Sequence, residues 1–201
     1  VGTGTLKLSG NNTFTGPTVV MDGKLVVSGA ISGIMEVQGG ILGGNGQFNG
    51  GIVVGPGGMV APGESIGELL TNGALTFGTA SVYGLEIDAG AGTADRVSAV
   101  NVTIGTGVSL TGQLLGPGAS FLGQQFTNLD NRSADPISGR FTDLPEGGVF
   151  DLGAARFAIS YFGGSGNDVT LTALIPEPGA ASLAACGAAL SALLRWRRRR
   201  S

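Results

Sequence analysis

Gly4-Thr5-Leu6-Lys7-Leu8-Ser9-Gly10-Asn11-Asn12-Thr13-Phe14-Thr15-Gly16, followed by Thr18-Val19-Val20 and Gly23-Lys24-Leu25, is the stretch that decides the fold. Leu6 and Leu8 flank Lys7 in the two-residue alternation of a strand with one buried face. Each apolar piece is short, and glycine or Asn-rich steps separate it from the next. Such a chain turns after every strand, and glycine supplies corners where a Cβ would clash.

The same texture continues downstream. Candidate strands are Thr5–Leu8, Thr18–Val20, Lys24–Val27, Met35–Gln38, Gly51–Val54, Ala74–Phe77, Val82–Ile87, Val100–Ile104 and Val108–Leu110. Leu85 and Ile87 flank Glu86 as Leu6 and Leu8 flank Lys7. Glycine makes up 39 of 201 residues without falling at every third position, which excludes collagen. Aromatic residues are 6% and charged residues 12% of the chain, so stability must come from stacked layers of small aliphatic side chains.

Two all-β architectures fit. An antiparallel sandwich prefers longer strands and larger aromatic core residues. A parallel β-helix, or solenoid, builds thin layers in which each coil buries what its neighbour exposes. The β-helix is the preferred reading for residues 1–115, with the sandwich as the alternative. Helix is not expected before residue 179, because an interior helical glycine costs about 1 kcal/mol relative to alanine. Phe121, Phe126, Phe141, Phe150, Phe157 and Phe162 concentrate six of the nine phenylalanines late in the chain. That shift predicts a β cap over residues 116–174, closing an edge that would otherwise recruit other chains.

Charge is polarised. Arg195, Arg197, Arg198, Arg199 and Arg200 are five of 11 basic residues, leaving six against 14 acidic residues, or −8, in the body. Such a body repels nucleic acid, and no nucleic-acid partner is expected. Histidine is absent and Cys186 is the single cysteine, which excludes an intrachain disulfide. Neither a metal site nor a cofactor is expected. The first residues read as the middle of a repeat, so the chain is expected to be the C-terminal part of a longer precursor.

Ile175-Pro176-Glu177-Pro178-Gly179 breaks regular structure. Ala180 to Leu194 then carries no charge over 15 residues, before Arg195-Trp196-Arg197-Arg198-Arg199-Arg200. As a helix it spans about 22 Å, short of the roughly 30 Å hydrocarbon core, but arginine stems can snorkel and Trp196 stands at an interfacial position. A short C-terminal transmembrane helix over this part of residues 175–201 is therefore expected. The positive-inside rule puts the arginines in the cytoplasm and the β body across the membrane.

The opening stretch resembles the autotransporter-associated β-strand repeat. Val60-Ala61-Pro62-Gly63-Glu64-Ser65-Ile66-Gly67 is similar to a step common in the same proteins, as is Val149 to Leu171. The resemblance implies a right-handed parallel β-helix stalk on a cell surface. It does not extend to the autotransporter mechanism, since no run of alternating membrane strands follows. The tail resembles the PEP-CTERM sorting signal of Gram-negative bacteria that make exopolysaccharide. By that resemblance Pro176, Glu177 and Pro178 form the recognition element for an exosortase-type membrane transpeptidase. The apolar helix would hold them at the inner membrane transiently, and the arginines would set orientation.

Catalytic patterns are poorly supported. Gly63-Glu64-Ser65-Ile66-Gly67 matches a nucleophile elbow in letters, but that motif needs a following helix and a histidine to take the serine proton. Gly163-Gly164-Ser165-Gly166-Asn167-Asp168 begins like a calcium-binding β-roll repeat, in one copy and off register. Asp130 and Asp135 share a polar loop of the same kind. Glu86 with Asp88, and Glu64 with Glu68, are the carboxylate pairs to weigh for polysaccharide cleavage, and ordinary solvated neighbours are their simpler reading. No catalytic residue is assigned. The expected function is a noncatalytic exported surface or matrix protein. An adhesin or exopolysaccharide-binding module is the first alternative, and a surface polysaccharide-active enzyme the second.

Overall fold

The computed structural model describes residues 2–116 and 123–174. These residues form strands and turns with no helix, in a stack of coils, each contributing to three sheets. Coil one comprises β1 (Thr5–Leu8), β2 (Asn11–Asn12) and β3 (Thr18–Val20). Coil two comprises β4 (Lys24–Val27), β5 (Ala30–Ile31) and β6 (Met35–Val37), and coil three β7 (Ile41–Gly44), β8 (Gln47–Phe48) and β9 (Ile52–Val54). Coil four holds β10 (Met59–Val60), β11 (Glu68–Thr71) and β12 (Leu75–Phe77). Coil five holds β13 (Val82–Asp88), β14 (Thr93–Ala94), β15 (Arg96–Ala99) and β16 (Val102–Ile104). The sixth turn of chain begins with β17 (Ser109–Leu115) and β18 (Gln125–Asn131).

The strand pairings between successive coils are parallel, with one antiparallel bridge between Gly44 and Gly63 outside them. The first sheet runs β1-β4-β7-β10-β13, with β17 also on β13; the third runs β3-β6-β9-β12-β16. The second runs β2-β5-β8-β11-β15-β18. This is the parallel arrangement of a β-helix-like solenoid. The antiparallel sandwich is excluded for these coils. Thr5 aligns with Lys24, Lys24 with Ile41, Ile41 with Met59, Met59 with Val82 and Val82 with Ser109, so the fourth and fifth coils are longer than the first three.

Register explains the core. Val20, Val37, Val54, Phe77 and Ile104 occupy one column of the third sheet, and Met35, Ile52, Leu75 and Val102 the next. Leu25, Leu42, Val60 and Tyr83 form a column on the first sheet. All of these are buried. Each strand alternates, so one residue in two points inward, and the next coil covers its exposed edge. Burying a side chain of this size contributes about 1.5–3 kcal/mol.

The wider coils admit aromatics. Phe77 stands one coil after Val54 and Tyr83 one coil after Val60, with ring centroids 5.6 Å apart. Phe141 stacks on Tyr83 at 6.2 Å and meets Tyr161 at 6.3 Å. The last strands, β19 (Val149–Leu152), β20 (Ala155–Gly163) and β21 (Asp168–Ala173), pair antiparallel and extend the second sheet beyond β18. Phe126, Phe150 and Phe157 pack there, with centroids 6.1–6.4 Å apart. Among the described residues no helix is long and apolar enough to cross a membrane. The segment 180–194 expected to do so lies outside them.

Candidate functional site

Outward positions on the first sheet are unusually small. Gly43, Ala61 and Gly84 follow one another across β7, β10 and β13, leaving a trough in which Lys24 and Met59 lie over the glycines. The trough encloses about 220 Å³, with Glu64, Ser65, Glu86 and Gln113 on its rim. Gln113 Nε2 donates to Glu86 Oε1 at 2.8 Å. Lys7 pairs with Glu64 across the coils.

Beneath the rim lies Asp95, which is buried. Its Oδ1 accepts the N–H of Gly67 and its Oδ2 that of Glu86, both at 2.8 Å. Asn128 Nδ2 donates to its backbone oxygen at 2.9 Å. Burial lifts the Asp95 carboxyl from 3.8 to about 7; the two amides oppose that rise, and the nearby Glu86 charge adds to it. Tyr83, wholly buried near Asp95, is held well above its usual value, mainly by desolvation.

These contacts define what the trough can do. Both Asp95 oxygens accept backbone hydrogens and the group is shielded, so it serves as a brace between coils four and five. Asp88 is likewise committed: Oδ1 accepts from Gly90 at 2.8 Å and Ala91 at 3.0 Å, closing the β13–β14 turn. Glu68 pairs with Arg96 at 3.1 Å, away from Glu64. Ser65 lies in a turn followed by strand β11, so the local geometry is a coil corner. Lys24, Glu64, Glu86 and Gln113 remain on the rim as polar groups able to meet a hydroxyl-bearing or charged ligand.

The Asp/Asn loops tell a similar story. Asp168 Oδ1 accepts the N–H of Asn131 at 2.8 Å, and Oδ2 that of Ser165 at 3.2 Å. Asp130 Oδ2 accepts from Arg96 at 2.7 Å and Ser98 at 2.8 Å. Asp135 enters through its backbone oxygen, which accepts from Asn131 Nδ2 at 2.7 Å. Among the described residues no cluster of carboxylates is placed to hold a metal. The two tyrosines are interior: Tyr83 donates to the Asn128 carbonyl at 2.9 Å and Tyr161 to that of Leu144 at 2.8 Å.

The tail residues singled out from sequence, Pro176, Glu177, Pro178, Arg195, Trp196, Arg197, Arg198, Arg199 and Arg200, lie outside the described residues. Asp95 was not anticipated. Its partners Gly67 and Glu86 are 28 and 9 residues away, and no local pattern marks it.

Comparison with known proteins supports the repeat. Residues 1–27, from the start of the chain through β4, match the family model described as passenger-associated-transport-repeat. This bears out the autotransporter-associated repeat at the opening of the chain. No curated protein matches.

Proposed function

We propose that the chain is a noncatalytic, exported surface scaffold, delivered by its C-terminal sorting signal and released or displayed after processing. The observation that carries the scaffold reading is the spending of chemistry on structure. Asp88, Asp95, Asp130 and Asp168 all brace backbone or neighbouring coils, and both tyrosines are interior. The passenger-associated repeat over residues 1–27 supports export to a cell surface. The sorting reading is supported by the order Pro-Glu-Pro, apolar 180–194, arginine cluster. It implies a Gram-negative host, passage through the inner membrane and an exosortase-type transpeptidase as partner.

Mass spectrometry of the C-terminal peptide from native cells, fractionated into membrane and extracellular material, tests this. A new C-terminus close to Pro176–Pro178 in the extracellular fraction supports sorting. An intact Arg200-Ser201 end confined to the inner membrane sinks it.

A second reading, binding of exopolysaccharide, is favoured by the trough between Lys24, Glu64, Glu86 and Gln113. Calorimetric titration with the host's own exopolysaccharide tests it. Binding that weakens about tenfold in Glu86→Gln supports it, and absence of heat removes it.

A further inference from the structure

Asp135-Pro136 is the one Asp–Pro bond in the sequence, and its carbonyl oxygen is held from two sides. Asn131 Nδ2 donates to it at 2.7 Å and Asn167 Nδ2 at 3.1 Å. Both asparagines are buried, at 2% and 7% exposure. Their amide orientations are fixed by what the other end of each accepts. Asn131 Oδ1 takes the N–H of Asn101 at 3.1 Å and the Ser133 hydroxyl at 2.9 Å. Asn167 Oδ1 takes the Ser165 hydroxyl at 2.6 Å. Each side chain therefore presents N–H to the Asp135 carbonyl.

The Asp135 carboxyl stands apart from the other loop aspartates. Asp168 is spent on the amides of Asn131 and Ser165, and Asp130 on Arg96 and Ser98. Arg132, the nearest cation in sequence, donates to the Thr71 carbonyl. Asp135 is exposed, and its carboxyl has no hydrogen bond or ion pair among the described residues. A cavity of about 390 Å³ opens beside the bond, lined by Ser133, Ala134, Pro136, Ser165, Gly166 and Asn167. It admits water to the carbonyl.

We infer that the Asp135–Pro136 bond is a self-cleavage site, with the Asp135 carboxyl as nucleophile and the Asn131 and Asn167 amides as the oxyanion donors. A carboxyl oxygen of Asp135 adds to its own backbone carbonyl carbon, closing a five-membered ring. The charge gathers on the oxygen that the two amides already hold, within the range of preorganised oxyanion donors. The carboxyl proton passes to the Pro136 nitrogen as the C–N bond breaks, leaving a cyclic anhydride on Asp135 and a secondary amine on Pro136. One water then opens the anhydride. The net change is hydrolysis of one peptide bond, once and in cis, so the scaffold reading stands beside it.

The break falls between β18 and the cap strands. β21 pairs with β18, and Phe141 stacks on Tyr83, across it. The cut chain therefore stays assembled, while the coils lose their covalent link to residues 136–201.

The test is incubation of the purified full chain in detergent from about pH 4 to 7, read by intact mass and N-terminal sequencing. The folded chain should give fragments 1–135 and 136–201, together one water heavier, about tenfold or more faster than the chain unfolded in urea. The rate should rise toward acid, where the carboxyl carries the proton it hands on. Asp135→Ala keeps the backbone carbonyl and should leave the melting temperature unchanged while abolishing cleavage. Asn167→Ala should slow cleavage by about tenfold or more, with melting measured alongside to separate a lost donor from a lost fold. A folded chain that stays intact, or that breaks no faster than the unfolded one, overturns the inference. So does cleavage that persists in Asp135→Ala, which assigns the cut to a protease, or an unchanged rate in folded Asn167→Ala.

Discussion

Asp95 holds the backbone of Glu86: its Oδ2 accepts the Glu86 N–H at 2.8 Å while its other oxygen takes the N–H of Gly67. One carboxylate thus ties coil five to the corner leading into β11. Burial raises its pKa from 3.8 to about 7, so the folded chain holds a proton more tightly than the unfolded chain. The stability linked to this proton is fully present below about pH 4 and is lost as pH rises through about 7. The urea midpoint should therefore fall between about pH 4 and 7 from this group and level off above. In Asp95→Asn that fall should shrink, and an amide left without its acceptor should lower stability by about 1–3 kcal/mol. A midpoint difference between the two proteins that is constant across this range contradicts the assignment.

Ala80 takes φ 56° at a corner where its register neighbours Gly57 and Gly107 have φ 74°. An L side chain in the left-handed region costs about 1–2 kcal/mol, partly offset by the smaller entropy of unfolded alanine. Ala80→Gly should raise stability by about 0.5–1 kcal/mol, readable as a higher melting temperature.

Tyr161 serves two backbone groups. Its hydroxyl accepts the N–H of Phe141 at 3.0 Å and donates to the carbonyl of Leu144 at 2.8 Å. Tyr161→Phe keeps the ring stack and strands both partners, for a loss of about 1–3 kcal/mol. Amide exchange should quicken most near Phe141, where the lost acceptor acted.

Deleting residues 195–200 should disturb membrane orientation or C-terminal processing in cells while leaving the circular dichroism and melting of the β body intact. Unfolding of the body on this deletion would show that body and tail are not separable.

Legibility followed side-chain pattern. Thr5–Leu8, Thr18–Val20 and Lys24–Val27 emerge with the same bounds in sequence and structure, because alternation or β-branched residues mark them. Asn11–Asn12, Ala30–Ile31 and Gln47–Phe48 were missed: two residues carry no period, and these strands exist only because neighbouring coils align them. Ile41–Gly44 was hidden by its own glycines, which are there to admit backbone; a Cβ on Gly44 would collide with Val27. The groove around Glu86 was half visible. Glu86 could be weighed from its strand, whereas Asp95 gains its role through contacts 9 and 28 residues away.

The greater length of the fourth and fifth coils has a kinetic consequence. Strands that touch are separated by one coil, from Thr5–Lys24 early in the stack to Val82–Ser109 late in it. Sequence separation between partners is thus set by coil perimeter and does not increase with the number of coils. Loop closure grows only logarithmically with that perimeter. A narrow-coiled region should accordingly zip faster than a wide one, and adding coils should lengthen the molecule without slowing each closure step.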